Sequence, residues 1–498
     1  MKRRAASLRV LLTAAALARG LHAEILEGRV LAGKEPLEGV RVYPDRPRRV
    51  VATPVPETLT GPDGRFRIDL APGDALLVLE KDGWQRDLVP RAEWVRPFSL
   101  LPAADFRKEP VLLVRVDAPG TPLRLSDPEL RAFLFAREPG RASAANYLYE
   151  VSKGQLLLEE GGLFHVPVSI LPTEANKEAI AREVLKSVAG LDLRGFDRVD
   201  NRTGMTRPDG KPDHLWILAP GPPGSVTAVA EHVHAGCLLL APPKAPSRRW
   251  PVVFLTDEVP LGNIVHEAFH AMGEHRVDDL YRGCGEPGTA GIWDLMDAGQ
   301  YRGWDAHHPG AGPWREDTGY SPSPPGPWVR SELWYRGRFK ATVRTLKVAS
   351  RTWTGWLAPL VRAPGADPQR VVVPDPRGRG RFWEFWVSRP WGFEAGRVGG
   401  RWGPGHEGLL VARVEPVLLN RAKSRGPVQV LDAHPGTAEP AQPRLPCGRF
   451  ELDDAAFNLG PGENPRGRDG GLIWEVLEQD ASGRLKIMIR WTSSGGRR

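Results

Sequence analysis

The first part of the chain alternates short apolar runs with turn residues. The runs EILEGRVL, GVRVYP, GRFRIDL and ALLVLEKDG show partial alternation of apolar and polar positions. Such alternation is typical of strands with one buried face. Pro62-Asp63-Gly64 predicts a turn between two of these strands. Residues 24–103 are therefore predicted to form a small β-sandwich.

Between residues 108 and 340 the pattern indicates an α/β domain. Three runs are mostly apolar, as strands buried on both faces are: VLLVRV (111–116), HLWILA (214–219) and VVFLT (252–256). Apolar positions recur with helical spacing in two segments, 141–151 and 174–189. A capping box at Ser126 and Glu129 predicts the start of a short helix. The Pro- and Gly-rich residues 304–327 are predicted to form a long surface loop.

Residues 341–498 return to short strands, which predicts a β-rich C-terminal domain. The strand-like runs are FWEFWVS, GLLVARV, VQVL and RLKIMIRW. A Pro-rich loop is expected at residues 434–448. A chain of 498 residues is too long for one core and suggests roughly three domains. The predicted fold is a multidomain one, with an N-terminal β-sandwich, a central α/β domain and a β-rich C-terminal domain.

Composition and charge indicate an exported protein and argue against two classes, nucleic-acid-binding and membrane-spanning proteins. Residues 1–23 carry five basic residues and no acid, and the net charge of +8 falls to +3 without them. That balance argues against nucleic-acid binding. The basic start, the short run VLLTAAALA and the small residues Ala16 and Ala18 predict a signal peptide, and hence a secreted or periplasmic protein. No segment is long and apolar enough for a stable membrane span. Three cysteines make no disulfide framework, although Cys237 and Cys284 would be the pair if one bridge formed.

The segment GNIVHEAFHAMG, residues 262–273, carries the chemistry. A helix is predicted from Leu261 to Met272, with Pro260 in its first turn and Gly273 at its end. His266 and His270 are four residues apart, so both imidazoles lie on one helix face and can share a zinc ion. Glu267 lies beside that face, where a carboxylate can take a proton from water.

A third protein ligand must follow the helix. The residue three after Gly273 is Arg276, which cannot bind zinc. The candidates close by are Glu274, His275, Asp278 and Asp279. Met296, in the segment GIWDLMDAG, lies where a methionine-containing turn beneath a zinc site is expected.

These motifs resemble those of the immune inhibitor A-like secreted metallopeptidases. The resemblance rests on HEAFHAMG, DDLY, GIWDLMDAGQYRG and PWVRSELWYRGR, and on ordered motifs across residues 108–420. It implies a metzincin-like zinc endopeptidase with two His ligands, His266 and His270, and one Asp ligand. Glu267 would be the base and Met296 the turn methionine. The family's Asp-Leu-Tyr triplet corresponds to Asp279 and the two residues after it. Here that Asp comes three residues later than in the family, so Asp278 and His275 remain alternatives.

Two flanking features carry further resemblances. Residues 24–103 resemble the carboxypeptidase regulatory-like, transthyretin-like domain; they would supply no zinc ligand, so hydrolysis should remain measurable without them. The family often has an acidic, calcium-binding loop before the strand HLWILA. Asp209 and Asp213 stand there, but Arg207 and Lys211 intrude. A Ca²⁺ ion beside the Zn²⁺ ion is thus one interpretation, and a turn with solvated carboxylates is the other.

Two functions are compatible with these observations. The first is a secreted zinc endopeptidase that hydrolyses peptide bonds in a protein or peptide substrate. The alternative is a binding or adhesive protein on a degenerate peptidase scaffold. The longer loop before Asp279 supports this alternative. The intact set of His266, Glu267 and His270 favours the enzyme.

Overall fold

Strands outweigh helices in this β-rich multidomain protein. The computed structural model describes most of the chain between residues 24 and 492. Its described ranges are 24–46, 54–95, 97–103, 105–170, 176–221, 236–242, 249–257, 259–273, 277–280, 290–301, 322–334, 339, 342–378, 380–395, 407–419, 426–435, 452 and 454–492. The predicted signal peptide, residues 1–23, lies outside them. Among the described helices none is both long and apolar enough to cross a membrane.

The N-terminal segment folds into two small sheets packed face to face. Its strands are β1 (Glu24–Ala32), β2 (Glu35–Pro36), β3 (Arg41–Pro44), β4 (Thr58–Leu59), β5 (Arg65–Leu70), β6 (Leu76–Glu80), β7 (Asp87–Pro90) and β8 (Phe98–Ser99). One sheet has the order β2-β1-β5 with β8 beside β1, and the other has the order β4-β3-β6-β7. The four runs predicted as strands are β1, β3, β5 and β6. Apolar side chains from both sheets, such as Val30, Phe66 and Leu77, share one core.

The central segment is a five-stranded sheet with helices on both faces. Its elements are β9 (Arg107–Asp117), α1 (Asp127–Phe135), α2 (Ala144–Val151), β10 (Leu156–Pro167), α3 (Lys177–Val188), β11 (His214–Ala219), β12 (Gly236–Leu240), β13 (Trp250–Thr256) and α4 (Leu261–Met272). The strand order is β10-β9-β11-β13-β12, and all pairs are parallel except β12 with β13. Helix α3 packs on one face, whereas α1, α2 and α4 pack on the other.

Local sequence signals explain several of these elements. Ser126 caps α1, and the Glu129 carboxylate accepts the Ser126 amide at 2.8 Å, so the predicted capping box forms. The strand β10 was not predicted from the sequence. The surface-loop prediction is wrong for residues 322–327, all of which are buried. The other residues of that predicted loop, 304–321, lie outside the described residues.

The C-terminal segment is a second pair of packed sheets. Its strands are β14 (Thr345–Lys347), β15 (Thr352–Leu357), β16 (Arg370–Pro374), β17 (Phe382–Ser388), β18 (Gly408–Val414), β19 (Val428–Val430), β20 (Arg466–Asp469), β21 (Leu472–Gln479) and β22 (Leu485–Trp491). The sheets have the orders β14-β16-β17-β18-β19 and β15-β22-β21-β20. Side chains such as Phe385 and Trp474 fill the space between them. The opposite face of the first sheet, with Trp386 and Leu410, joins the core around α4.

Candidate metal centre

Helix α4 presents two histidines from an otherwise apolar, buried segment. Its start is an extended Pro260, whose carbonyl accepts the Ile264 amide. It ends at Gly273, where a Cβ atom would lie 2.9 Å from the Val277 side chain. Glycine therefore allows the chain to turn back immediately. The predicted bounds, Leu261–Met272, are those observed, with Pro260 as the cap rather than in the first turn.

Three ligand-type atoms converge beside this helix. The Nε2 atoms of His266 and His270 are 3.1 Å apart, and Asp279 Oδ1 lies 3.0 and 3.2 Å from them. Ligands about 2.1 Å from a tetrahedral zinc ion lie roughly 3.4 Å from one another. The two imidazoles and one carboxylate therefore fit a zinc ion in both chemistry and spacing.

Backbone carbonyls orient both imidazole rings. His266 Nδ1 lies 3.0 Å from the Leu295 carbonyl oxygen, and His270 Nδ1 lies 2.5 Å from that of Val277. A carbonyl can only accept a hydrogen bond, so each Nδ1 carries the proton. Each Nε2 then faces Asp279, and in the neutral ring it carries the lone pair that a metal ligand needs.

The electrostatics of this group favour a bound cation. Burial alone lowers the pKa of His266, but the neighbouring Asp279 carboxylate raises that pKa to about 9. Burial alone raises the pKa of Asp279, whereas its contacts with His266 and His270 hold the pKa well below its usual range. The buried negative charge of Asp279 is thus stabilised by a positive partner, either the proton of an imidazolium or a metal ion.

The two adjacent aspartates do different things. Asp279 belongs to the converging group. Asp278 Oδ1 instead accepts the backbone amide of Asp279 at 3.0 Å. Leu280, which follows, is fully buried and donates its amide to the Met296 carbonyl. The other candidates, Glu274 and His275, lie outside the described residues, as does the tyrosine of the triplet.

Glu267 is half-buried on helix α4, which contacts strand β12. Its charge acts on His266 and on Cys237 of β12. Burial, with Glu267 as a second cause, raises the pKa of the Cys237 thiol. Cys237 forms no disulfide, and Cys284 lies outside the described residues.

Met296 lies in a tight turn beneath the histidines. The turn is flanked by two short 3₁₀ segments, Gly291–Trp293 and Ala298–Tyr301. Met296 is fully buried, and the carbonyl of the preceding Leu295 is the one that holds His266. Met296 thus belongs to the turn whose backbone contacts His266.

Sequence reasoning missed two carboxylates in this turn. Asp294 accepts the amides of Met296 and Gly326, and Asp297 Oδ2 accepts those of Ala290 and Gly291. Burial raises the pKa of Asp294 to about 7, against the effect of the two amide donors. The available signal was the pair of acids flanking Met296 in the segment GIWDLMDAG, because buried acids in an apolar turn need donors.

The proposed calcium loop is occupied by internal contacts. Lys211 lies 3.5 Å from the Asp209 carboxylate, and Asp213 accepts two backbone amides, those of Arg198 and Val199. Within the described ranges, neither aspartate belongs to a cluster of ligand atoms. The one further cluster found there is Asp432, His434 and Asp454. In that cluster His434 Nδ1 already contacts the Asp454 carbonyl at 2.6 Å.

Comparison with known proteins adds no relative to this picture. No protein-family model matches the chain, and a search of curated proteins finds no match. The assignment of a function therefore rests on the residues and the geometry described above.

Proposed function

We propose that the protein is an exported, zinc-dependent endopeptidase of the immune inhibitor A-like type, with a metzincin-like central domain. The observation that carries the proposal is the convergence of His266, His270 and Asp279, with ligand atoms 3.0–3.2 Å apart. The longer loop before Asp279 still delivers a carboxylate to the histidines. It therefore gives no support to a degenerate scaffold.

Each residue of the site has a distinct task. His266, His270 and Asp279 would hold zinc, which when bound supplies Lewis-acid polarisation of a carbonyl and acidifies water. Glu267, adjacent to the ligands and only half-buried, can accept a proton from the attacking water. The same carboxylate can then pass that proton to the departing amine.

The sheet offers a place for an extended peptide. Within the described residues, β12 pairs with β13 alone, which leaves its other edge for a substrate strand. A peptide that adds to a sheet edge gains main-chain hydrogen bonds without sequence selection. Glu267 lies close enough to influence Cys237 on this strand. A protein or peptide substrate paired with β12 would therefore pass beside the proposed base.

The proposal is tested by Glu267→Gln in the full chain. Glutamine keeps the size of the side chain but cannot take the proton, so we expect casein hydrolysis to fall by about 10²-fold or more. Zinc content, measured by mass spectrometry, should remain that of the wild type. Glu178→Gln, on an exposed face of α3, is the matched control and should retain activity. An active Glu267→Gln enzyme would exclude Glu267 as the base, and a wild-type chain without zinc or activity would refute the function.

A further inference from the structure

One turn contacts both segments that bear the proposed ligands, helix α4 and the segment of Asp279. The Leu295 carbonyl accepts from His266 Nδ1 at 3.0 Å. The next carbonyl, that of Met296, accepts the amide of Leu280 at 2.9 Å, and Leu280 directly follows Asp279. The orientation of these two peptide groups therefore influences both an imidazole and the carboxylate opposite it.

The side chain of Asp294 holds this turn from within. Its Oδ1 accepts the Met296 amide at 2.9 Å, and its Oδ2 accepts the Gly326 amide at 2.8 Å. Its backbone carbonyl accepts the amide of Gly299 at 3.0 Å. Asp294 is 3% exposed, so these are contacts of a buried residue and water cannot easily replace them.

The surroundings of Asp294 leave no space for it to move. A Cβ atom at Gly326 would lie 2.5 Å from Asp294 Oδ2. A Cβ atom at Gly299 would lie 2.3 Å from the Asp294 carbonyl oxygen. The two glycines allow the backbone to approach Asp294 closely, Gly326 at its carboxylate and Gly299 at its carbonyl.

We infer that Asp294 is a positioning residue for the metal centre, which acts through the Leu295 and Met296 carbonyls on His266 and on the segment of Asp279. A carboxylate can accept from two amides at once, whereas an asparagine presents a donor to one of them. The inference rests on the proposed function, because it assumes that the converging group binds zinc. Partners that orient metal ligands typically change metal affinity about 10- to 100-fold when they are replaced.

The test compares Asp294→Asn with Asp197→Asn in the full chain. Asp197 is a matched control because each of its oxygens also accepts one backbone amide, that of Asp209 and that of Gly210. Asp197 lies near the amino end of β11. Strand β13 is parallel to β11, and α4 follows the carboxyl end of β13, so the control residue lies towards the other end of the sheet. At about pH 8, zinc affinity is measured by competition with a chelator, and the Co²⁺-substituted absorption spectrum reports the ligand geometry.

We expect Asp294→Asn to weaken zinc binding about 10- to 100-fold and to change the Co²⁺ spectrum. Asp197→Asn should lower the melting temperature while it keeps the wild-type zinc affinity. If Asp294→Asn does not fold, Gly326→Ala replaces it, since the added methyl group displaces the same carboxylate. The inference alone would be overturned if Asp294→Asn or Gly326→Ala bound zinc with wild-type affinity. It would also be overturned if Asp197→Asn lost as much zinc affinity as Asp294→Asn. A wild-type chain that binds no zinc would overturn the proposed function and this inference together.

Discussion

At the scale of single residues, two adjacent aspartates show how a site selects one carboxylate. Asp279 Oδ1 is within 3.2 Å of both histidine Nε2 atoms. Asp278 Oδ1 turns back to the amide of its neighbour. Consecutive side chains of an extended segment point in opposite directions, so both cannot face the same ion.

This difference predicts unequal effects on metal binding. Asp279→Ala should weaken zinc binding about 10²-fold or more, because two imidazoles alone hold the ion poorly. Asp278→Ala removes only an acceptor for the Asp279 amide and should have a much smaller effect. Zinc affinities from chelator competition decide between them. Loss of zinc from Asp278→Ala with retention in Asp279→Ala would show that the ligand assignment is wrong.

The sequence predicted the histidine pair and the base, but for the third ligand it gave Asp279 only through the family resemblance, with Asp278 and His275 as alternatives. The i, i+4 spacing fixes the relative position of His266 and His270 once the helix is known. No such period governs the chain after Gly273. The position of Asp279 depends on tertiary contacts, such as the hydrogen bond from Leu280 to Met296, and these join residues distant in sequence. Asp294 was missed for the same reason.

At the scale of elements, helix α4 lies directly against the backbone of the Ala298–Tyr301 segment. A Cβ atom at Gly262 would lie 1.7 Å from the Gln300 carbonyl oxygen. Glycine is a poor helix former, costing about 1 kcal/mol relative to alanine. Its presence in α4 is explained by this close contact.

Gly262→Ala should therefore destabilise the protein despite the better helix propensity. The overlap is with backbone atoms, so the helix must shift, and overpacking typically costs about 1–3 kcal/mol. Thermal unfolding with and without zinc measures the effect, and we expect both melting temperatures to fall. Gly190→Ala is the control, because nothing lies within 4 Å of a Cβ atom there. Equal stability of the two variants would contradict the proposed contact.

Apolar patterning predicted half of the 22 described strands, and some of its failures have identifiable causes. The segment of β10 contains Glu-Glu-Gly-Gly, which is untypical of a strand. In the structure it forms a bulge, and a Cβ atom at Gly161 would lie 2.5 Å from the Phe196 ring. The Pro-rich residues 322–327 are buried because Ser323 satisfies its polar groups with Ile292 and Tyr147. Neither tertiary contact could be read from local sequence.

At the scale of the whole molecule, buried charges join the three segments at the end of α2. Arg86 of the N-terminal sandwich pairs with Glu150 at 3.0 Å, and both side chains are at most 6% exposed. Lys153 Nζ donates to the carbonyl of Val361 in the C-terminal segment. Gly154 has a positive φ, and a Cβ atom there would lie 2.5 Å from the Trp84 carbonyl oxygen.

The same junction contains an ion pair between the two outer segments. Arg362 contacts Asp87 at 2.9 Å and Glu93 at 3.0 Å. The sequence predicted that hydrolysis would remain measurable without residues 24–103 because they supply no zinc ligand, and it gave no indication of these ion pairs. Removal of one member of a buried pair typically costs about 3–5 kcal/mol.

The structure thus leads to the opposite expectation for deletion of residues 24–103. Loss of Arg86, Asp87 and Glu93 would leave Glu150 and Arg362 without these partners, so the shortened chain should be largely insoluble or unfold at a markedly lower temperature. Soluble yield and thermal unfolding measure this. Arg67→Ala, an exposed change in the same sandwich, should leave both unaltered. A soluble, zinc-binding shortened chain would restore the original expectation.

The hydrogen bond from the Ser323 amide to the Gly299 carbonyl has a consequence for how this protein can change in evolution. This hydrogen bond holds Gly299 and Ser323 together, so the segment between them is a closed loop whatever its length. The entropy of closing such a loop grows only slowly, by about 0.6 kcal/mol for each doubling of its length. By the entropy of loop closure alone, insertions or deletions between Tyr301 and Pro322 should therefore cost little stability. The stretch is a natural position for homologous chains to diverge in length, while the turn that carries Met296 stays in place.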